Sequence, residues 1–561
     1  MTTSDDNHSV VKAAGLIGLA TFSSRILGFV RDMVLARLFG ATAAADAFFV
    51  AYRIPNLLRE LFAEGSMSAA FIPVFTEYHT LRSKQDAWEL ASAAFTTLLT
   101  IVTAITLAGI LAAPWIAWLI GWGFHDDPAK LELTTVLTRV MFPYLLFISL
   151  AALAMGVLNS MRAFAAPAFS PVFFNIVIIG CAFLLAPQME QPILGVAIGV
   201  VVGGAAQFAM QLPGLHARGM LFGLLFQPQH PGVKRIGLLM VPSLLGLSVT
   251  QINILVSTFL GSLFPGGPTY LFYGMRLIQF PLGIFGVALA TAILPTLTAQ
   301  AARGALDDLR TTLGFGLRMI LFIILPAMLG LILLRVPIVH LFFEHGSFTA
   351  ADTAATATAV LCYAVGLWAF AGVRIIVSAY YSLQDTKTPA ITAALAVGAN
   401  IIFSVILMRP LGAPGLGLGH GLGLDVEWQY PRGSLEPSVG ACGLGLGCAI
   451  GRASAYCLPA VGADLSCGGA SADLEGTGRL DHEDGLVGRR HRLQRRRLRG
   501  RASVAWVRGT GCGVGVGEAK AWAGREEIRG SLTWRNRRQW KQNVGSCASR
   551  RPIRVSSPSI L

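Results

Sequence analysis

The sequence predicts an all-α, polytopic helical membrane protein. Of its 561 residues, 54% are hydrophobic and only 13% are charged, and the mean hydropathy is +0.61. A soluble chain of this size needs more polar surface than that composition supplies. Apolar runs of about 20 residues recur with short gaps, and a helix rising ~1.5 Å per residue needs that length to cross a bilayer core of about 30 Å. Strands of a membrane barrel would be about half as long and would alternate apolar with polar residues, which these runs do not.

Eleven spans precede residue 414, after a polar, acidic N-terminus (1–12) that lacks the basic start and small-residue cleavage site of a secretory signal. They cover approximately Ala13–Leu38, Ala47–Val74, Ala91–Trp118, Leu133–Leu158, Ala168–Ala186, Ile193–Leu212, Ile236–Leu263, Tyr270–Leu297, Phe315–Leu334, Thr353–Ser378 and Ala390–Met408. The third, fifth, sixth, seventh and eleventh contain no charged residue. Basic residues gather in alternate loops (Arg82, Lys84, Arg162, Arg218, Lys234, Arg235, Arg303, Arg310, Lys387), whereas the opposite ones hold mainly Lys130 among Asp126, Asp127, Glu132 and Glu190, with Arg335 and Arg409 at span ends. By the positive-inside rule the N-terminus is expected in the cytoplasm.

The second and eighth spans repeat a pattern. Phe48-Phe49-Val50-Ala51-Tyr52-Arg53-Ile54 aligns with Leu271-Phe272-Tyr273-Gly274-Met275-Arg276-Leu277, and Ala70-Phe71-Ile72-Pro73 aligns with Ala292-Ile293-Leu294-Pro295. Arginine and proline are 20 residues apart in one copy and 19 in the other. Six spans separate the copies, which suggests two parallel six-helix lobes with substrate bound between them. Residues 13–212 form the N-terminal lobe on this reading, and 236–413 an incomplete C-terminal lobe.

A charged side chain near the centre of a span costs at least about 2.5–3.5 kcal/mol on insertion scales, so it is rare without a partner or a wet cavity. Such groups concentrate in the first two spans, which carry Arg25, Arg31, Asp32, Asp46, Arg53, Arg59, Glu60 and Glu64, while Arg276 is the only charge of the eighth. At about 3.6 residues per turn Arg25 and Asp32 share a helix face and Arg31 points about 120° away, with Gly28 leaving room for a close neighbour. Arginine suits phosphate because its planar fork donates two parallel hydrogen bonds and stays charged where water is scarce. Arg25, Arg59 and Arg276 lie deep enough for a cavity role; Arg37, Arg139, Arg162, Arg235, Arg318, Arg335 and Arg409 read as helix-end residues reaching the interface.

An enzyme would need acids or histidines poised for proton transfer or metal binding. The pairs Asp126-Asp127 and Asp307-Asp308 sit in ordinary charged loops, and His345 has no ligand partner at useful spacing. No catalytic set, metal site or disulfide framework is expected, and no cofactor.

The first two spans then become specific. Ser24-Arg25-Ile26-Leu27-Gly28-Phe29-Val30-Arg31-Asp32, Asp46-Ala47-Phe48-Phe49-Val50-Ala51 and Pro55-Asn56-Leu57-Leu58-Arg59-Glu60-Leu61-Phe62-Ala63-Glu64-Gly65 resemble the signature of the MurJ/MviN lipid II flippases. So do Arg276-Leu277-Ile278-Gln279-Phe280-Pro281-Leu282-Gly283 and Tyr380-Tyr381-Ser382-Leu383-Gln384-Asp385-Thr386-Lys387-Thr388-Pro389. The resemblance, over about residues 10–413, implies the multidrug/oligosaccharidyl-lipid/polysaccharide exporter fold: fourteen helices in two six-helix lobes around a cationic cavity. It implies that Arg25, Arg31, Arg59, Arg276 and Asp46 are critical cavity residues, with Asp32 beside them. It also implies that undecaprenyl-pyrophosphate-linked muropeptide (lipid II) passes from the inner to the outer leaflet by alternating access, with membrane lipids and no nucleic acid as partners. Gln279 stands where some members carry glutamate, which weakens any coupling role there. An exporter of another lipid-linked saccharide, or a membrane enzyme of envelope synthesis, is the alternative.

After Ala413 the expected helices do not follow. Residues 1–413 carry a net charge of +4 and 414–561 a net charge of +10, and six of the eight cysteines lie in the latter. The stretch 414–561 turns Gly-rich and then basic, and is expected to be an aberrant, disordered tail. Codons for Asp425–Glu436, read one base later, can spell Met-Trp-Asn-Gly-Asn-Ile-Leu-Val-Gly-Ala-Leu-Asn, an apolar helix. A frame change therefore explains this region better than a tail for nucleic acid or anionic lipid.

Overall fold

The computed structural model describes residues 3–61, 67–220 and 222–435, all within one compact unit. Among them are helices and no strand. The N-terminal lobe comprises α1 (Thr3–Phe39), α2 (Ala43–Arg59), α3 (Met67–Leu81), α4 (Lys84–Ile120), α5 (Pro128–Met141), α6 (Tyr144–Ser160), α7 (Ala165–Leu184), α8 (Pro192–Ala209) and the short α9 (Leu212–His216). The C-terminal lobe comprises α10 (Pro231–Ser262), α11 (Gly267–Pro281), α12 (Val287–Ala302), α13 (Leu306–Leu333), α14 (Arg335–Phe343), α15 (Ala350–Val365), α16 (Leu367–Ser382), α17 (Lys387–Leu411) and α18 (Ala413–Leu435).

Sequence punctuation explains the breaks. Pro143, which has no N–H to donate, separates α5 from α6, and Pro281 precedes a π-turn, Leu282–Gly286, between α11 and α12. At Gly366 the pair α15–α16 bends by 42°. Ser83 with Asp86, and Thr349 with Asp352, form reciprocal capping boxes that start α4 and α15.

Among the described residues seven helical segments are long and apolar enough to cross a membrane, or eight with the bent pair counted as one. The expected second span falls outside that set because it is interrupted between α2 and α3. Large apolar side chains face outward, with Leu111, Phe322 and Leu333 exposed by 74%, 77% and 75%. That exterior is built for lipid. One continuous core runs through both lobes, from Phe71, Phe75 and Tyr144 to Tyr273 and Trp368.

Past residue 413, where the expected C-terminal lobe ends, the described residues continue as α18, which packs on α17, α15 and α16. Its alternate glycines permit this. A Cβ on Gly415 would sit 2.4 Å from Leu407 O, one on Gly419 2.5 Å from Ser404 Oγ, and one on Gly421 3.2 Å from Gly366 Cα. The rest of the expected disordered tail, 436–561, lies outside the described residues, as does Glu64.

At one end of the bundle the lobes are sealed together. Ser347 N donates to Arg37 O (2.9 Å) and Ser347 Oγ to Leu38 O (3.1 Å), while Gly123 N donates to Ser262 Oγ (3.1 Å). Gly40 and Gly346 hold this approach with φ of +56° and +65°, where a side chain would be strained. Phe29 packs edge-on against Phe342 at 5.1 Å, and Phe49 stacks on Phe272 at 4.2 Å.

Candidate functional site

The repeat seen in the sequence places α2 against α11, and α1 lies alongside α7. On α1 the carboxylate of Asp32 is fully buried. Its Oδ1 accepts from Arg31 Nη2 (2.7 Å) and Nε (3.0 Å), and its Oδ2 pairs with Arg276 Nε at 2.6 Å. One carboxylate thus joins an arginine of its own lobe to an arginine of the other. Arg31 folds back along the helix rather than pointing away from Asp32, because its long stem spans the gap between neighbouring positions. Its Nη1 donates to Asn175 Oδ1 of α7 (3.2 Å), and Asn175 Nδ2 in turn donates to Pro171 O (3.0 Å).

Gly28 leaves the space the sequence suggested. A Cβ there would lie 2.9 Å from Arg276 Nη2. One turn earlier, Arg25 rests on the π-turn of the opposite lobe, where a Cβ on Gly283 would lie 2.0 Å from Arg25 Nη1. The widened turn after Pro281 presents bare backbone to the guanidinium. Arg374 of α16 lies beside the same turn, its Cδ 3.8 Å from the Cβ position of Gly286, and is close enough to Arg25 for the like charges to act on each other. Sequence reasoning passes over Arg374, although it is the only charge in the tenth span.

Arg59 ends α2. Its Nε donates to Asn56 Oδ1 (3.1 Å) and its Nη2 approaches Glu60 Oε1 (3.5 Å), which also accepts from Asn56 Nδ2 (3.0 Å). Glu60 Oε2 accepts from Gln251 Nε2 of α10 at 2.5 Å, a second polar link between the lobes. Arg59 and Arg31 both act electrostatically on Tyr144, whose ring lies 6.4 Å from that of Tyr52. Arg53 is the other cation of this face; its buried Nε has no hydrogen-bond partner among the described residues, and Glu60, Tyr363 and Tyr52 act on it electrostatically.

Of the residues singled out from sequence, Arg25, Arg31, Asp32 and Arg276 therefore come together, while Arg59 is held on α2 by Asn56 and Glu60. Asp46 does not. It lies at the sealed end, 1% exposed, where its Oδ1 accepts from Thr269 Oγ1 (2.7 Å) and its Oδ2 from Gly266 N (2.9 Å) and Lys130 Nζ (2.8 Å). It caps the N-terminus of α11 from the other lobe, a role favoured for an anion by the helix dipole. Lys130 was legible only as a loop charge; its ammonium also lies 4.0 Å from the Phe124 ring centroid.

Arg25, Arg31, Asp32, Arg276 and Arg374 together leave an excess of positive charge, with the Arg276 side chain 30% exposed. Such a set can bind a polyanion bidentately while adding no reactive group. Residues 35–427 match the family described as lipid II flippase MurJ. The chain belongs to the lipid II flippase MurJ family. A probable lipid II flippase MurJ of Vibrio cholerae is 42% identical over 415 residues, covering 72% of this chain and 79% of the relative. The lipid II flippase MurJ of Burkholderia cenocepacia is 36% identical over 434 residues, covering 75% and 84%. A solved lipid II flippase MurJ in an inward closed conformation superposes with a TM-score of 0.67 at 28% identity, covering 79% of this chain and 91% of that one. An inward-facing multidrug transporter of the MOP superfamily, 14% identical, shares the fold with a TM-score of 0.62, covering 74% and 96%. This places a MurJ-family transporter, an integral inner-membrane protein, behind the cationic site, and it removes the envelope-enzyme alternative.

Proposed function

We propose that this chain moves lipid II from the inner to the outer leaflet of the cytoplasmic membrane by alternating access, with the N-terminus in the cytoplasm. The observation that carries this reading is the Arg31–Asp32–Arg276 bridge between the lobes. A pyrophosphate offers more acceptor oxygens than one carboxylate and competes with Asp32 for both guanidiniums. Arg25 and Arg374 extend the positive surface along the π-turn, and Arg59 extends it along α2. The sealed end is the outward one on this reading, so the described state receives substrate from the cytoplasm. Opening that end requires the Asp46 cap, the Lys130 pair and the Ser347 contacts to separate, while Asp32 exchanges partners.

Resequencing the DNA across codons 411–437 tests the frame reading of the stretch after Ala413 directly.

Binding tests the substrate. Lipid II added to the purified chain should be retained in native mass spectra and displaced by inorganic pyrophosphate at high excess, with retention lost in Arg276→Ala. Retention of lipid II equal to that of an uncharged polyprenol, in both proteins, contradicts the reading.

A further inference from the structure

A residue outside the charged set fixes the direction of Arg31. Asn175 is the only amide side chain of α7 and is 5% exposed. Its Nδ2 donates to Pro171 O, one turn earlier in α7 (3.0 Å), and to Ser24 O of α1 (3.3 Å). Both partners are carbonyls, which only accept, so the amide nitrogen faces them and the amide oxygen is left pointing at Arg31. That oxygen accepts from Arg31 Nη1 at 3.2 Å. Both polar atoms of Asn175 are thus engaged, and its own orientation is locked from two helices.

A guanidinium carries five N–H groups. On Arg31, Asp32 takes that of Nε and one of Nη2, and Asn175 takes one of Nη1, which leaves one on each Nη for a ligand. Arg276 differs: it meets Asp32 through Nε, and its side chain is 30% exposed against 14% for Arg31. When Asp32 lets go of both arginines, Arg31 keeps the Asn175 anchor. A long arginine stem is otherwise free to sample many rotamers. Because the anchor is a neutral amide, it orients the guanidinium without cancelling the charge, as a carboxylate at position 175 would.

We propose that Asn175 is a positioning residue for transport: it keeps the Arg31 guanidinium turned toward the interlobe site while Asp32 exchanges partners, so that a diphosphate meets two arginines instead of Arg276 alone. This role rests on the reading that pyrophosphate displaces Asp32, and it adds a source of selectivity. Arg276 can serve a single phosphate through its exposed face. The second phosphate of a pyrophosphate needs Arg31 already in place, since a guanidinium that must first be ordered gives back much of what it gains.

The test offers the full-length chain undecaprenyl pyrophosphate and undecaprenyl monophosphate at equal concentration and reads retained lipid by native mass spectrometry. Wild type is expected to prefer the diphosphate about tenfold, as one additional charge-assisted hydrogen bond allows. Asn175→Ala and the similarly branched Asn175→Leu should each cut that preference to about twofold, with monophosphate retention unchanged. In an Arg31→Ala chain the preference is already reduced, and adding Asn175→Ala should change it no further. A ratio unchanged by both Asn175 substitutions overturns the proposal, whether retention stays intact or falls equally for the two lipids; the latter would make Asn175 a packing residue between α1 and α7. A further drop in the Arg31→Ala chain overturns it too. Wild type that retains both lipids equally would instead overturn the pyrophosphate reading itself, and this role with it.

Discussion

Asp32 of the N-terminal lobe and Arg276 of the C-terminal lobe meet at 2.6 Å, with the carboxylate fully buried and the guanidinium still 30% exposed. The pair is asymmetric: one partner is fixed in protein, and the other has a face free for a ligand. Removing Arg276 leaves Asp32 with Arg31 alone. Arg276→Ala is therefore expected to lower thermal stability, and Asp32→Asn in the same chain to recover part of it, a coupling of about 0.5–3 kcal/mol. Transport should not recover in the double variant. Additive losses in a thermal-unfolding cycle would show that the two side chains do not share this bridge.

Arg25→Ala and Arg59→Ala, made in a frame-restored version, are each expected to abolish complementation of a strain depleted of its own flippase while membrane levels stay near normal. Lysine should rescue poorly at either position, because an ammonium does not repeat the two-pronged geometry. Immunoblots with growth curves check this, and full growth with both alanine variants would remove these residues from the site.

Asp46 and Lys130 form a buried pair at 2.8 Å that also caps α11. Breaking one partner of such a pair costs about 3–5 kcal/mol. Asp46→Ala and Lys130→Ala should each loosen the sealed end, and a cysteine pair at Leu38 and Ser347 should then cross-link less readily than in the parent chain. Unchanged cross-linking would assign the seal to the backbone contacts alone.

The difference between Arg276 and Asp46 marks what the sequence makes legible. Burial of charge in an apolar run is expensive, so Arg25, Asp32 and Arg276 stand out from their spans without any structure. The Arg53 and Arg276 repeats even place α2 and α11 as counterparts. What Asp46 does depends on where the N-terminus of α11 arrives, 220 residues later at Gly266, and no local pattern encodes that. Arg31 shows the same limit on a smaller scale: helix geometry fixes where its Cβ points, but not where its flexible side chain goes. Arg374 was within reach, and the signal was its isolation in an apolar span. The packing of α18 was hidden because glycine-rich sequence reads as unstructured until a flat neighbouring helix face is available to it.

Outside the membrane, Asp385 starts α17. Its Oδ1 accepts from Lys387 N and Thr388 N, both at 3.0 Å, and its Oδ2 from Thr388 Oγ1 at 2.6 Å. The Thr388 hydroxyl, then the Thr388 amide, hold this carboxyl below its ordinary range. A depressed folded value adds stability that is complete above the unfolded pKa of about 3.9 and is lost as pH falls through the lower folded value. Asp385→Asn should therefore lower the unfolding temperature slightly at neutral pH and match wild type at pH 2 to 3. A difference that persists unchanged into acid would mean that the carboxylate charge contributes nothing to the cap.

The central claim is that lipid II crosses the membrane through the arginine set shared by the two lobes. The most direct measurement follows lipid II exposed on the outer leaflet, as product cleaved by an externally added hydrolase, in cells depleted of their own flippase and expressing the frame-restored chain. The account predicts cleavage near the undepleted level with the unmutated chain, and background cleavage with Arg276→Ala expressed to the same level. Cleavage that is equal for the two proteins would contradict it.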